Sequence, residues 1–277
     1  MKTRIFQLTF LTLVLTIAVR AANAQTYCSN SITACGCAIN TPGTYTVDAD
    51  LTASQGLTTM GSCLDVTASD VKLFTNGHSI TGAGTGTGIH LLGGANTIFL
   101  SAAGPGSTYS TISGWQYAVE SQASKVTAEG FYFVGNSTGL LLKGAQGNSF
   151  GCVGAFDNAV YGVWIWGGSN NLIAYSGVWD NGVAGVYVGC KANGPSSPAC
   201  SGSGSTSSGN FILSVLSYSS AAESYGLAVQ SGNTGNMLVD NQFFSNTADD
   251  LYDGNSSANS NVWHANLFAT ANKSYIQ

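Results

Sequence analysis

The sequence predicts an all-β solenoid, one continuous coil of parallel strands, on three observations: a phrase said twice at a fixed offset, strand-and-turn punctuation inside each copy, and Asn residues at constant phases. Residues 139–158 read GLLLKGAQGNSFGCVGAFDN and residues 162–181 read GVWIWGGSNNLIAYSGVWDN, so Gly139 matches Gly162, Phe156 matches Trp179, and Asp157-Asn158 matches Asp180-Asn181. Each copy holds short runs of alternating, β-branched and aromatic residues broken by Gly, Ser and Asn, with no helical period. A unit this small cannot bury its own apolar face, so stacked neighbours must supply the core.

At the N-terminus, Lys2 and Arg4 precede an apolar run from Phe6 to Val19 and the small-residue site Ala22-Asn23-Ala24. Residues 1–24 thus read as a signal peptide removed near Ala24, placing the mature chain in a secreted, periplasmic or extracellular setting. No other stretch is long and apolar enough to span a bilayer. Residues 25–64 lack the repeat and carry Cys28, Cys35, Cys37 and Cys63; they are read as a disulfide-stapled N-terminal cap, since an open stack of strands needs its end covered. Cys63 is expected to pair with Cys35 or Cys37, the remaining connectivity being open, and Cys190 with Cys200. Cys152 falls inside a repeat, where a buried thiol is expected.

The coil proper is assigned to residues 65–277. Coils restart at Ala118-Val119, Gly139-Leu140, Gly162-Val163, Gly185-Val186 and Gly226-Leu227, and the one long interval contains a Ser/Gly-rich insertion at 190–209 that can loop out without disturbing the stack. A second beat comes from Asn148, Asn171, Asn210, Asn236 and Asn261, each opening a short strand, and from Asn136, Asn158, Asn181 and Asn246, each closing a coil. Asn accepts left-handed turn geometry, and its amide can bond to the same residue one coil away, forming a ladder. Strands repeating in one direction must be parallel, about 4.8 Å apart, so roughly eight or nine coils make a rod about 40 Å long. The chirality of parallel connections makes the winding right-handed.

Cys63–Gly82, with Asn76-Gly77-His78-Ser79-Ile80-Thr81-Gly82, and the later repeats together resemble the right-handed parallel β-helix repeat proteins. That superfold is shared by pectate lyases, polygalacturonases and the accessory β-helix protein of nitrous oxide reductase maturation. The likeness covers nearly all of residues 35–272. It implies a single β-helix and allows a glycoside hydrolase or polysaccharide lyase. The Asp249-Asp250 pair resembles the adjacent catalytic aspartates of polygalacturonases, but that family's Asn-Thr-Asp, Gly-His-Gly and Arg-Ile-Lys motifs have no counterpart here.

Composition restricts the partners. Removal of Lys2, Arg4 and Arg20 leaves 5 basic residues against 13 acidic ones, a net charge of 5 − 13 = −8, with no arginine. A chain without a guanidinium fork or a basic face does not suit nucleic acid or strongly anionic sugars.

Alternation along the strand after each initial Gly puts Val119, Leu140, Val163, Val186 and Leu227 in one phase with Ser121, Leu142, Ile165, Val188 and Val229, and these face the lumen. Trp164, Trp166 and Tyr187 then point outward, onto a flat face where sugar rings could stack on their faces and bond the indole N–H and phenol O–H. The opposing reading is that they lie under the 190–209 insertion and bury it. A further row, Phe156, Trp179, Tyr218 and Phe244, stands near the coil ends and reads as structural stacking or ligand contact.

Among acids, Asp157 and Asp180 occupy equivalent positions on adjacent coils, about 5 Å apart, near the spacing of a retaining glycosidase pair of about 5–5.5 Å. Asp before Asn is also ordinary turn chemistry. Asp249 and Asp250 are the alternative acid pair, and Asp249, Asp250 and Asp253 together could hold Ca²⁺. No other metal or cofactor is implied, because His78, His90 and His264 are isolated in sequence. The leading reading is an exported protein that binds neutral or weakly charged polysaccharide or surface glycan through Trp164, Trp166 and Tyr187. Its alternatives are a hydrolase or lyase, and a structural or adhesive rod without a small ligand.

Overall fold

Each coil contributes three short strands, and successive coils stack in register into three parallel sheets of 10, 10 and 9 strands. The computed structural model describes residues 25–102, 109–190, 193–202, 204–218 and 223–277; the expected signal peptide at 1–24 lies outside these. Residues 25–64, expected as a cap, contribute strands to all three sheets, among them Cys37–Ile39, Gly43–Val47 and Leu51–Thr52. Disulfides Cys28–Cys37 and Cys35–Cys63 close that end, and Cys190–Cys200 staples the insertion.

The lumen is filled as the alternation predicts. Along the first sheet, Leu64, Ile89, Val119, Leu140, Val163, Val186, Leu227 and Leu251 are successive Cα partners, and all are buried in one continuous core. Glycine precedes the inward residue at Gly88, Gly139, Gly162, Gly185 and Gly226, where space is short: a Cβ at Gly139 would stand 2.6 Å from the Gly162 carbonyl oxygen, and one at Gly162 equally close to that of Gly185. A larger residue would force the coils apart.

Asn side chains form the expected ladders inside the bends. Asn171 donates to Asn210 Oδ1 at 3.0 Å, Asn210 to Asn236 at 2.9 Å, and Asn236 to Asn261 at 3.0 Å. A second ladder joins Asn136 to Asn158 and Asn158 to Asn181. Both end on carboxylates. Asn181 donates to Glu223 Oε1 at 3.2 Å, and Asn261 to Asp253 Oδ2 at 3.3 Å. Asn246 departs from the expectation of a stacked rung, giving its amide instead to Asp250 of its own turn. Cys152 also departs: it is exposed and sits at φ 52°, because its position is a left-handed bend and not a strand.

Candidate functional site

Three candidate surfaces follow from the register, and the structure sorts them by exposure. Trp164 and Tyr187 are outward Cα partners on the first sheet, outside the lumen as alternation requires. They are not open to water. Trp164 is 4% exposed and Tyr187 is fully buried, together with Leu141, Tyr161, Ala184 and Ala228 in a second apolar cluster. The cause is the stapled insertion. Trp164 Nε1 donates to the Gly189 carbonyl at 2.7 Å, and the Tyr187 hydroxyl meets Gln230 Oε1 at 2.7 Å and the Gly194 carbonyl at 3.1 Å. The same Gln230 oxygen accepts the Cys190 N–H, while the Gln230 amide holds the Pro198 carbonyl, so the roof is bonded at both ends. Trp166 alone of the three remains half-buried, stacked on Trp164 with the Lys143 ammonium 5.2 Å above its ring. The expected open platform of Trp164, Trp166 and Tyr187 is therefore corrected: the indole and phenol groups that would bond a sugar are spent on the roof.

Removing the staple tests this arrangement. With Cys190 and Cys200 both changed to Ser, the Trp164 indole N–H is expected to exchange with solvent at least about tenfold faster, as local opening near Gly189 becomes easier. An unchanged exchange rate by NMR would mean that the insertion is not what shields it.

The acid pair lies at a bend. Gly135, Asp157 and Asp180 hold φ of 64°, 55° and 55°, so the two aspartates take the left-handed position that the preceding coil gives to glycine. Asp tolerates that geometry through local hydrogen bonding, which accounts for its residue type there. The other acids separate. Asp250 and Asp253 are buried and Asp249 is half-buried on the outer face, as the Cα partner of Tyr225. Asp250 accepts from the Asn246 amide and from the Ala269 and Thr270 N–H groups. Burial raises the Asp250 carboxyl, but these bonds outweigh it and hold it below its usual range. Asp253 accepts Asn255 on one oxygen and Asn261 and the Trp263 indole on the other. Both buried carboxylates thus close the end of the rod, leaving no open oxygen pair for the expected Ca²⁺. Among the described residues no group of three or more His, Cys, Asp or Glu side chains is gathered to hold a metal ion.

The open aromatic surface is on the third sheet. Phe156 and Trp179 are Cα partners whose rings stack with centroids 4.6 Å apart and planes 5° from parallel, and Tyr132 meets Phe156 edge-on at 5.8 Å. Tyr109 stacks on Tyr132 at 4.5 Å. Glycines leave room for the edges of these rings: a Cβ at Gly177 would stand 2.2 Å from the Trp179 ring, and one at Gly154 2.7 Å from Tyr132. Tyr132, Phe156 and Trp179 are half-buried, and Tyr109 is 44% exposed. Further along, Tyr218 and Phe244 stack at 5.6 Å. The sequence signal for this surface was the glycine two residues before each ring, in Gly154-Ala155-Phe156 and Gly177-Val178-Trp179.

His90, isolated in sequence, is a Cα partner of both Asp65 and Glu120 on the outer wall of the first sheet.

No family model and no curated protein matches the sequence. Solved structures match the fold. The Dettilon tailspike protein aligns over 82% of this chain and 47% of its own, at 14% identity and a TM-score of 0.53. A periplasmic alginate epimerase aligns over 80% of this chain and 49% of its own, at 12% identity and a TM-score of 0.53. The chain is a right-handed parallel β-helix. This β-helix spans about half the length of the two proteins it matches. No helix among its described residues is long and apolar enough to cross a membrane.

Proposed function

We propose that this β-helix is an exported protein that binds neutral or weakly charged polysaccharide on the outer face of its third sheet. The observation that carries the reading is the stack of Phe156 on Trp179, cleared by Gly177 and continued edge-on by Tyr132. Rings spaced by one coil, about 4.8 Å, present a row of apolar edges on which the C–H groups of successive sugar units can pack, and the half-buried indole and phenol polar groups stay available to hydroxyls. The absence of arginine in the mature chain favours an uncharged ligand. Two further supports are indirect: three disulfides suit an oxidising compartment, and one structural relative is named for acting on alginate.

The test is retention on insoluble polysaccharide and on a glycan array. Trp179→Ala is expected to weaken binding about tenfold, or about 1.4 kcal/mol, and Gly177→Ala to weaken it as well by tilting the ring it leaves in place. Binding that survives both changes, or no binding to any glycan, removes this reading.

A further inference from the structure

Asp65, His90 and Glu120 occupy one outward column on three consecutive strands of the first sheet, Ser62–Val66, Thr87–Leu91 and Tyr117–Ser121. Asp65 is 1% exposed and His90 6%. The Asp65 Oδ1 atom is buried with no hydrogen-bond partner and lies 3.7 Å from His90 Nδ1, an approach short of a hydrogen bond. Across the ring, His90 Nε2 is 3.4 Å from the Gln122 amide nitrogen, which also donates to Glu120 Oε1 at 3.1 Å. An amide nitrogen only donates, so Nε2 is the acceptor, and the proton of the neutral imidazole sits on Nδ1, toward Asp65. Tyr117 faces the same carboxylate: burial and then the Glu120 charge push its hydroxyl up, against a smaller opposing effect from Gln116.

A purely structural wall needs none of these charges. Further along the rod the same column is filled by Leu141, Trp164, Tyr187 and Ala228. Burying a carboxylate with one oxygen unpaired costs stability that an apolar residue would not. What the arrangement does supply is an imidazole on the outer wall with its accepting nitrogen toward the Gln122 amide and a buried carboxylate on its other side.

We propose that His90 is the general base of a hydrolytic site for uncharged acyl esters, such as acetyl groups, carried on sugar hydroxyls. His90 Nε2 takes a proton from water as the water oxygen adds to the ester carbonyl. Asp65, 3.7 Å from Nδ1 at rest, closes to accept the Nδ1–H as the imidazole becomes charged. Gln122, freed from its long contact with Nε2, donates to the carbonyl oxygen as that oxygen becomes negative. The tetrahedral adduct then breaks its bond to the alkoxide, which takes the proton from His90; the imidazole returns to neutral and the carboxylic acid product loses its proton to solvent. Ester and water are consumed and acid and alcohol released, so no further reactant enters. Glu120 is a positioning residue that holds the Gln122 amide, and its charge disfavours anionic acyl groups. Glycosidic cleavage suits the site less well, because it needs a second carboxyl turned to the substrate, whereas Asp65 is turned to the imidazole. The sugar alcohol rests on the polysaccharide reading above; the acyl chemistry does not.

The experiment measures release of 4-nitrophenol from 4-nitrophenyl acetate and of acetate from acetylated xylan by the purified mature chain. Hydrolysis of at least one above buffer is expected, with His90→Gln lowering kcat/KM by about 100-fold or more. Asp65→Asn should lower kcat about tenfold with KM little changed and move the pH profile of kcat toward acid, a shift that mere loss of packing would not produce. Because the buried variants could unfold, Gln122→Leu, at a half-buried outer position, serves as an independent arm, with at least a tenfold fall in kcat. No turnover of either substrate, or full turnover by a folded His90→Gln or Gln122→Leu protein, overturns the proposal. Turnover of the aryl ester by a chain retained on no polysaccharide would strike the carbohydrate reading and leave the acid–base site standing.

Discussion

Glu223→Gln is expected to remove a loss of stability that the natural protein suffers between about pH 5 and pH 8. Glu223 takes the rung that Asn136, Asn158 and Asn181 occupy in preceding coils, fully buried, with Asn181 donating to one oxygen and the Ser217 hydroxyl to the other. Burial pushes its carboxyl from 4.5 up to about 8; the Asn181 and Ser217 bonds pull against this, and the Asp180 charge adds to it. The sign follows from proton binding. Between the two values the folded chain holds a proton that the unfolded chain has lost, so stability is fully present below about 4.5 and declines as pH rises through about 8. A displacement of this size corresponds to something on the order of 5 kcal/mol. The neutral amide of Gln keeps the length and one acceptor, so its urea midpoint should be nearly the same at pH 5 and pH 9, while that of the natural protein falls. Parallel pH dependence in the two proteins would show that Glu223 is ionised in the folded state.

The difference between that rung and its neighbours also marks what could be read in the sequence. The offset shared by residues 139–158 and 162–181 gave coil, direction and lumen, and Leu140 and Val163 are Cα partners because the repeat has constant length there. Constant length fails toward the N-terminal end. No fixed offset aligns Asp65, His90 and Glu120, so their meeting is visible only once strands Thr87–Leu91 and Tyr117–Ser121 are paired. Alternation tells which way Tyr187 points but not what lies above it, since the fate of an outward residue depends on chain outside its own strand, here the loop bearing Gly194, whose carbonyl accepts the Tyr187 hydroxyl. Phe156 and Trp179 are legible as a row; their partial exposure is not, because it depends on how the stacked rings stand over Gly154 and Gly177. Glu223 was missed for the opposite reason: it breaks the Asn pattern used to find its neighbours.

Asn171→Ala is expected to destabilise the interior of the rod strongly. Asn171 is fully buried, its Oδ1 accepting the Asn148 N–H at 3.1 Å and its Nδ2 donating to the Ala145 carbonyl and to Asn210 Oδ1, both at 3.0 Å. Alanine would leave the Asn148 N–H with no acceptor and withdraw a donor from both oxygens. The Ala145 carbonyl keeps the Ser169 N–H and Asn210 Oδ1 keeps the Asn171 N–H, so one orphaned donor dominates, at about 2–4 kcal/mol once the lost packing is included. Asn171→Asp separates hydrogen bonding from packing, because its size is unchanged. An ionised aspartate can accept from Asn148 but cannot donate to Asn210 or Ala145, so this variant must bind a proton to keep the rung. Its folded-state carboxyl is then raised above the unfolded value, and its stability should be recovered at acid pH and lost as pH rises, a dependence that Asn171→Ala lacks. Equal loss in the two variants at every pH would mean that the amide fills space and contributes no directed bond. Because the loss comes from a buried contact between neighbouring coils, the same substitution at exposed Asn259 should change the denaturation midpoint very little.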